Sequence, residues 1–385
     1  MHLRCLILTL LFSASLHAEG RALCLDQLQA RVDRWSEQMH QQYQQISRDH
    51  NPDNPYADLR KIVREAEGIK GGNHSVLLKG TKDKAILIQH GFMASPFEVM
   101  SVARRLNSDG YTVLAPLLDG FGSNYAVANA KRISHWRGSF ERSVKALATC
   151  YESIALIGFS LGGALASDFV LNTTHVDREG RLKDVGGKNA SISDVVLLSP
   201  YFGVPVWGAK LSIRGVILVD KNDSIRISTI PHPDLTIPER FPQHYNLRMP
   251  LLSVSEILSL SEELKQSTTT TNIPTFMVLS DADKTIDLDA AVEVLAERFN
   301  SDRDVLKIYE RSCDIPHQLA TKRATSTWIT CSLMSAVFSP ATSQVWKTMS
   351  CSAKTSRCRG HSPIIRIAMR RRCRPRSSGR VTASR

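Results

Sequence analysis

The chain has 385 residues, enough to bury a full core as one large domain or as one domain with a lid. Its formal charge of +12 is a poor guide to partners. Of 49 Lys and Arg, 14 lie between Ile315 and Arg385, where there is no Asp or Glu, and residues 1–314 carry 35 basic against 37 acidic side chains. A body so near neutral lacks the basic footprint of a nucleic-acid binder.

The first residues, MHLRCLILTLLFSASLHAEG, place Arg4 before an apolar run from Leu6 to Phe12, with small and polar residues leading to Ala18. This pattern predicts a signal peptide over 1–18 and an exported protein, periplasmic or secreted. The run is too short for a membrane span. Residues 19–70 read as an N-terminal helical extension. Leu25, Leu28, Val32, Trp35, Met39, Tyr43 and Ile46 recur every three or four residues and form one apolar stripe. Asn51-Pro-Asp-Asn-Pro55 ends it. Beyond Cys5, which leaves with the signal, Cys24, Cys150 and Cys313 remain in the body. Export permits a disulfide among them, but the pairing is open.

Strand and helix then alternate over 71–203. Ser75–Leu78 and Ala85–Gln89 read as strands, the second running into His90-Gly91-Phe92. Ser95-Pro96-Phe97-Glu98 reads as a helix start, with Ser95 as N-cap, Pro96 at the first helical position and Glu98 closing a capping box. Tyr111–Leu118 is the next strand, followed by Asp119-Gly-Phe-Gly122. Ser134 caps a helix carrying Trp136, Phe140, Val144 and Leu147. Ile154–Phe159 is an apolar run of the kind a strand buried on both faces requires. It leads into Gly158-Phe159-Ser160-Leu161-Gly162, followed by Gly163, Ala164 and Ala166. This is the context of a nucleophile elbow, a sharp strand-to-helix turn that strains the serine backbone and presents its Oγ at the sheet top. Gly158 and Gly162 carry no Cβ to collide there. Asp194–Leu198 is another buried strand.

Residues 204–272 break the rhythm. Gly215–Val219 and Ile225–Ser228 read as a hairpin about Lys221-Asn-Asp223. Proline-rich loops and a helix after Ser253 follow, and together they read as an inserted lid or cap. Residues 273–318 resume the sheet with Pro274–Leu279, a helix over Ala290–Phe299 and a last strand at Val305–Tyr309. This rhythm predicts an α/β fold, a mostly parallel sheet with helices on both faces.

A serine needs a base, and the base needs an orienting acid. In an open α/β sheet these sit on loops at the carboxyl ends of later strands. His317 follows the last strand, and the loop after Pro274–Leu279 offers Asp283, with Asp281 and Asp287 as alternatives. Two backbone N–H donors must meet the developing oxyanion. Leu161, directly after the nucleophile, supplies one and Phe92 the other. His90 holds the loop by hydrogen bonding, and Gly91 lets the backbone approach the substrate. Phe92, Met93, Phe121 and Phe159 are apolar candidates for the mouth of an acyl-chain site. The reading requires no metal and no cofactor.

QHGFMASPFE, APLLDGFG, GFSLGG, the SDADKTID loop and His317 resemble the α/β-hydrolase superfamily over Ser75 to His317, and bacterial carboxylesterases and monoacylglycerol lipases above all. The resemblance implies the α/β-hydrolase fold with an inserted lid, a Ser160–Asp283–His317 triad, and a small-molecule acyl ester or lipid as substrate, with no nucleic acid. Thioesterases, acyltransferases and peptidases use the same machinery, and a non-catalytic hydrolase-like binding protein would keep the fold. Family members usually end in an amphipathic helix, a place that Thr321–Phe338 fills poorly. Residues 319–385 are basic and carboxylate-free, with Cys331, Cys351, Cys358 and Cys373. They read as a disordered or aberrant segment rather than a core element. The alternative is a basic tail for nucleic acid or an anionic membrane, which leaves peripheral membrane contact open. Oligomeric state is not legible.

Overall fold

The computed structural model describes residues 2–49, 69–172, 174, 176–183, 189–204, 224–226, 243–246, 248–313, 315–319 and 364–366. The expected breaker at 51–55, the strand at 215–219 with its turn at 221–223, and Thr321–Phe338 lie outside these residues.

In chain order the elements are α1 (His2–Asp49), β1 (Val76–Leu78), β2 (Lys84–Gln89), α2 (Met100–Ser108), β3 (Thr112–Ala115), α3 (Tyr125–Asn129), α4 (Ile133–Ala148), β4 (Ser153–Phe159), α5 (Leu161–Asn172), β5 (Ser191–Leu198), β6 (Ser224–Arg226), β7 (Arg248–Pro250), α6 (Leu251–Gln266), β8 (Thr275–Ser280), α7 (Leu288–Arg298), β9 (Val305–Tyr309) and β10 (Ile364–Arg366). Short 3-10 turns span Pro96–Glu98 and Arg311–Cys313. Among the described residues the main sheet runs β1-β3-β2-β4-β5-β8-β9-β10. Its interior pairs are parallel, and β1 and β10 join antiparallel at the two edges.

The near-continuous apolar strands follow from burial on both faces. Along β2 and β4, Ala85, Leu87, Ile154 and Leu156 point into a core shared with α1, α4, α5, α6 and α7. Their neighbours Ile86, Ile88, Ala155 and Ile157 point the other way, toward Val102 and Leu106 of α2 and toward Ile315 and Leu319. Each such leucine or isoleucine, fully withdrawn from water, contributes roughly 1.5–3 kcal/mol.

The N-terminal extension is part of this packing. Leu25, Leu28, Val32 and Tyr43 of α1 are buried in the larger core. α1 is also tied covalently, by a disulfide joining Cys24 to Cys150 at the end of α4 across 126 residues. That bond takes Cys313 out of the pairing. By restricting the unfolded chain it is worth about 2–4 kcal/mol.

Several expected elements differ. The Pro96 segment is one 3-10 turn, and Ser95 makes no side-chain cap bond. Glu98 does not close a capping box, because its carboxylate is engaged elsewhere, as described below. The helix expected to be capped by Ser134 has Arg132 as its N-cap instead and begins at Ile133, whose N–H donates to Glu256 of α6 at 2.9 Å. That distant carboxylate adds to a local contact, in which the Arg132 N–H donates to His135 Nδ1 at 3.1 Å. Ile225 pairs with Met249 of β7. Beyond the strand expected to be last, Ile364–Arg366 pairs with β9. These three residues lie within 319–385, read from the sequence as a disordered or aberrant segment.

Candidate active site

β4 ends in the turn at Ser160, and α5 begins at Leu161. Ser160 has φ +52, the left-handed region that a side chain rarely adopts. Backbone bonds hold it there: its N–H donates to Leu198 O at 3.0 Å, and its own carbonyl accepts from Gly163, Ala164 and Tyr201. The flanking glycines are obligatory. A Cβ on Gly158 would lie 2.3 Å from Gly162 O, and one on Gly162 would lie 2.4 Å from Gln89 O. As the first residue of α5, Leu161 has an N–H with no intrahelical acceptor, free to meet an anion.

The loops after β8 and β9 bring two more side chains to this turn. His317 Nε2 is 3.0 Å from Ser160 Oγ, and His317 Nδ1 is 2.8 Å from Asp283 Oδ2. Ser160 and His317 are each 5% exposed. Burial alone would raise the Asp283 carboxyl. The charge and hydrogen bond of His317, with the Thr285 and Ile286 N–H groups, outweigh it and hold Asp283 below its ordinary value. Asp283 Oδ1 accepts both N–H groups, at 2.8 and 3.3 Å. The alternative acids are occupied otherwise. Asp281 meets Arg311 at the surface, and Asp287 caps α7 by accepting the Ala290 N–H. The histidine loop is fastened by Ser280 Oγ, which donates to Ile315 O at 2.7 Å, and by Phe159, whose ring lies 5.0 Å from that of His317.

The loop after β2 lies against the serine. A Cβ on Gly91 would sit 3.2 Å from Ser160 Cβ. His90 is fully buried, accepts the Leu118 N–H at Nε2 (3.0 Å) and meets Gly91 O through Nδ1 at 2.8 Å. The amide donor fixes the tautomer, so Nδ1 carries the proton. Burial lowers the imidazole to about 4 against the raising effect of the Gly91 bond. His90 is therefore a neutral structural pin. Met93 has φ +61.

Of the four apolar candidates, Phe92 is half-buried and the other three are buried. The Phe121 ring meets those of Phe92 and Trp136, and the Phe159 ring meets that of His317. Phe92 packs edge-on against Phe121 at 5.5 Å and against Trp136 at 6.1 Å.

Sequence reasoning missed the outer supports of this loop. Glu98 accepts the Gly91 N–H at Oε2 and the Tyr245 hydroxyl at Oε1. The Asn246 N–H donates to Met93 O at 2.8 Å. Burial pushes the Glu98 carboxyl up to about 7, although the Gly91 bond, the His317 charge and the Tyr245 bond all act to lower it. Tyr43 of α1 donates to Asp119 and accepts the Gly120 N–H, and Lys131 joins the same carboxylate. Nothing local in the sequence marks these pairs.

A cleft of about 640 Å³ lies elsewhere, between α4, α5 and α6, and none of Ser160, Asp283 or His317 lines it. Its Arg137 is paired with Asp168 and Glu263. Among the described residues there is no cluster of three or more His, Cys, Asp or Glu arranged to hold a metal. Nor, among them, is any helix long and apolar enough to cross a membrane.

A serine at a strained strand-to-helix turn after β4, with a buried carboxylate after β8 and an imidazole after β9, is a recurrent α/β arrangement. The sequence profile of the alpha/beta hydrolase family matches residues 85–326. The chain belongs to this family. It is 34% identical over 85 residues to a carboxylesterase of Bacillus subtilis (strain 168), covering 22% of this chain and 35% of that protein. It is 31% identical over 80 residues to a thermostable monoacylglycerol lipase of Bacillus sp. (strain H-257), covering 21% of this chain and 32% of the lipase. The matches thus span about a third of each of these curated relatives. Among solved structures, a soluble variant of monoglyceride lipase from Saccharomyces cerevisiae superposes with a TM-score of 0.51 at 13% identity, over 65% of this chain and 86% of that one. That likeness is one of fold. The family profile begins at β2, so α1 lies outside it.

Proposed function

We propose that this protein is a serine hydrolase that cleaves carboxylic esters of acyl chains through an acyl-enzyme, in the manner of an esterase or lipase. The observation that carries the reading is the 3.0 Å approach of His317 Nε2 to Ser160 Oγ, with Asp283 behind the imidazole. Ser160 Oγ attacks the ester carbonyl carbon while His317 takes its proton. The oxyanion forms between the N–H groups of Phe92 and Leu161. Collapse expels the alcohol, which receives the proton from His317. Water, deprotonated by the same imidazole, then attacks the acyl-enzyme and releases the acid and Ser160. Asp283 holds the imidazole in the required tautomer and stabilises its charged form.

The named relatives, a carboxylesterase and a monoacylglycerol lipase, support an acyl ester as substrate. We infer export as well. The pattern of residues 1–18 is that of a cleaved signal, and the Cys24–Cys150 disulfide suits an oxidising compartment.

The test is hydrolysis of p-nitrophenyl esters from acetyl to palmitoyl, with fluorophosphonate labelling and Ser160→Ala as control. Hydrolysis and labelling are expected in the wild type and in neither case in the variant. A folded wild type that turns over no ester and takes no label overturns the reading.

A further inference from the structure

Glu98 is buried, yet it is neither a capping residue nor a member of the serine–histidine–aspartate relay. Its two oxygens face different parts of the chain. Oε2 accepts the Gly91 N–H at 2.7 Å. Oε1 accepts the hydroxyl of Tyr245 at 3.1 Å, from 147 residues away. Gly91 immediately precedes Phe92, and a Cβ there would meet Glu98 Oε2 at 3.0 Å on one side and Ser160 Cβ at 3.2 Å on the other. The Gly91 backbone is thus wedged between the Glu98 carboxylate and the serine. Residues 243–246, part of the insertion between β5 and β8, are docked against the outer side of the same loop. The His244 ring stacks on Phe97 with centroids 3.9 Å apart, Tyr245 packs on Ala94, and the Asn246 N–H holds Met93 O. Met93, the residue after Phe92, sits in the left-handed region. A strained turn of this kind persists only where its surroundings over-determine it. Here the supports are Glu98 on one side of Phe92 and Asn246 on the other.

We propose that Glu98 is a positioning residue for the oxyanion-binding loop: by joining Gly91 to Tyr245, it makes the placement of the Phe92 N–H depend on the docking of residues 243–246. The proposal rests on the reading of Ser160 as an acyl-transfer nucleophile. It gives the inserted segment a part in catalysis, because any movement that withdraws Tyr245 loosens the Glu98 carboxylate and, through it, the donor. Two hydrogen bonds are required rather than a charge. A glutamine can accept from Gly91 with its carbonyl and donate to the Tyr245 oxygen with its amide.

Wild type, Glu98→Gln, Glu98→Ala and Tyr245→Phe are compared on p-nitrophenyl butyrate, with rates normalised to active sites titrated by a fluorophosphonate. The affinity of each for a trifluoromethyl ketone, which forms a tetrahedral oxyanion on the serine, is measured in parallel. Glu98→Ala is expected to lower kcat by roughly 30- to 300-fold with KM within about threefold, the pattern of a displaced oxyanion donor. Its ketone affinity should fall by a similar factor. Tyr245→Phe should lower kcat by roughly three- to tenfold, and Glu98→Gln should recover most of the alanine loss. A support that only stabilised the fold would lower the melting temperature and leave kcat per active site unchanged. The proposal is overturned if Tyr245→Phe turns over at the wild-type rate, if Glu98→Gln is as slow as Glu98→Ala, or if the loss appears in KM. Should Glu98→Ala fail to fold, the other two variants decide. A wild type that takes no label overturns the reading of Ser160, and this proposal with it.

Discussion

Two turns meet beside Ser160, and they are built on different principles. Both hold a non-glycine residue at positive φ, Ser160 in the elbow and Met93 in the loop after β2. The elbow is held by what is missing. Gly158 and Gly162 lack Cβ atoms where backbone passes within 2.3–2.4 Å of where those atoms would be, and backbone bonds from neighbouring strands and α5 do the rest. The loop after β2 is held by side chains reaching in from elsewhere: Glu98, His90 under Leu118, and the Phe121–Trp136 pair beneath Phe92. A turn fixed by absent atoms is insensitive to substitution at a distance. A turn fixed by remote partners is not, and its adjustment is open to any element that touches those partners.

The largest effect that separates the two should come from the elbow itself. Ser160→Ala is expected to lower kcat by roughly 10⁴-fold or more, while the melting temperature stays within about 2 °C, because the backbone strain does not depend on the hydroxyl. Thermal denaturation and active-site labelling check both halves. Turnover near the wild-type rate would remove Ser160 from the mechanism. Asp283→Asn comes next, at roughly 10²- to 10⁴-fold in kcat, because an amide favours the wrong tautomer of His317. A loss below tenfold would return the acid to Asp281 or Asp287.

Glycine substitutions test the comparison directly. Gly162→Ala places a methyl group against Gln89 backbone, which cannot yield, so soluble folded protein should be lost. Gly91→Ala meets the end of the Glu98 side chain at 3.0 Å, which can shift. That variant should fold and lose activity by roughly 10- to 100-fold as the oxyanion donor moves. Equal yields and equal melting temperatures for the two would abolish the distinction between the turns.

The same contrast explains what could be read in advance. The elbow was legible because its determinants, an apolar run and four small residues about the serine, lie together between Ile154 and Ala166. Ser160, Asp283 and His317 could be placed together from their chain order at strand ends. The acid remained open because Asp281, Asp283 and Asp287 differ only in which way each side chain turns, and that is set by Arg311, His317 and the start of α7. The supports of the second turn were illegible for a related reason. Tyr245 and Glu98 are 147 residues apart, and no spacing rule joins such a pair. Glu98 was misread as a capping residue because the local pattern was complete. In the fold, the buried Gly91 N–H competes for the same carboxylate. Phe121 and Phe159 prove buried, and their partners were illegible because hydrophobicity shows that a side chain is buried and not against what.

The smallest expected effect concerns stability, and it separates the two turns by pH. Burial raises the Glu98 carboxyl from 4.5 to about 7 in the folded protein. Between those values the folded state keeps a proton that the unfolded state has released, so stability falls as pH rises through this window and levels off above it. Asp304, also raised to about 7 by burial, slopes the same way. His90, lowered to about 4, acts in the opposite sense, and its contribution is lost as pH falls from 6.5 toward 4. The wild-type curve mixes all three, but the difference between wild type and Glu98→Gln isolates one, since Asp304 and His90 are present in both. Glutamine keeps the geometry without the ionisation. Its melting temperature relative to wild type should therefore rise by a few degrees between pH 5 and pH 8, corresponding to at most about 3 kcal/mol. Ser160→Ala, confined to the elbow, should not follow that course. If the Glu98→Gln difference is flat, or shrinks toward pH 8, the carboxyl is ionised at little cost in the folded protein. The loop after β2 would then be held by a charge, and the hydrogen-bond account of its placement would fail.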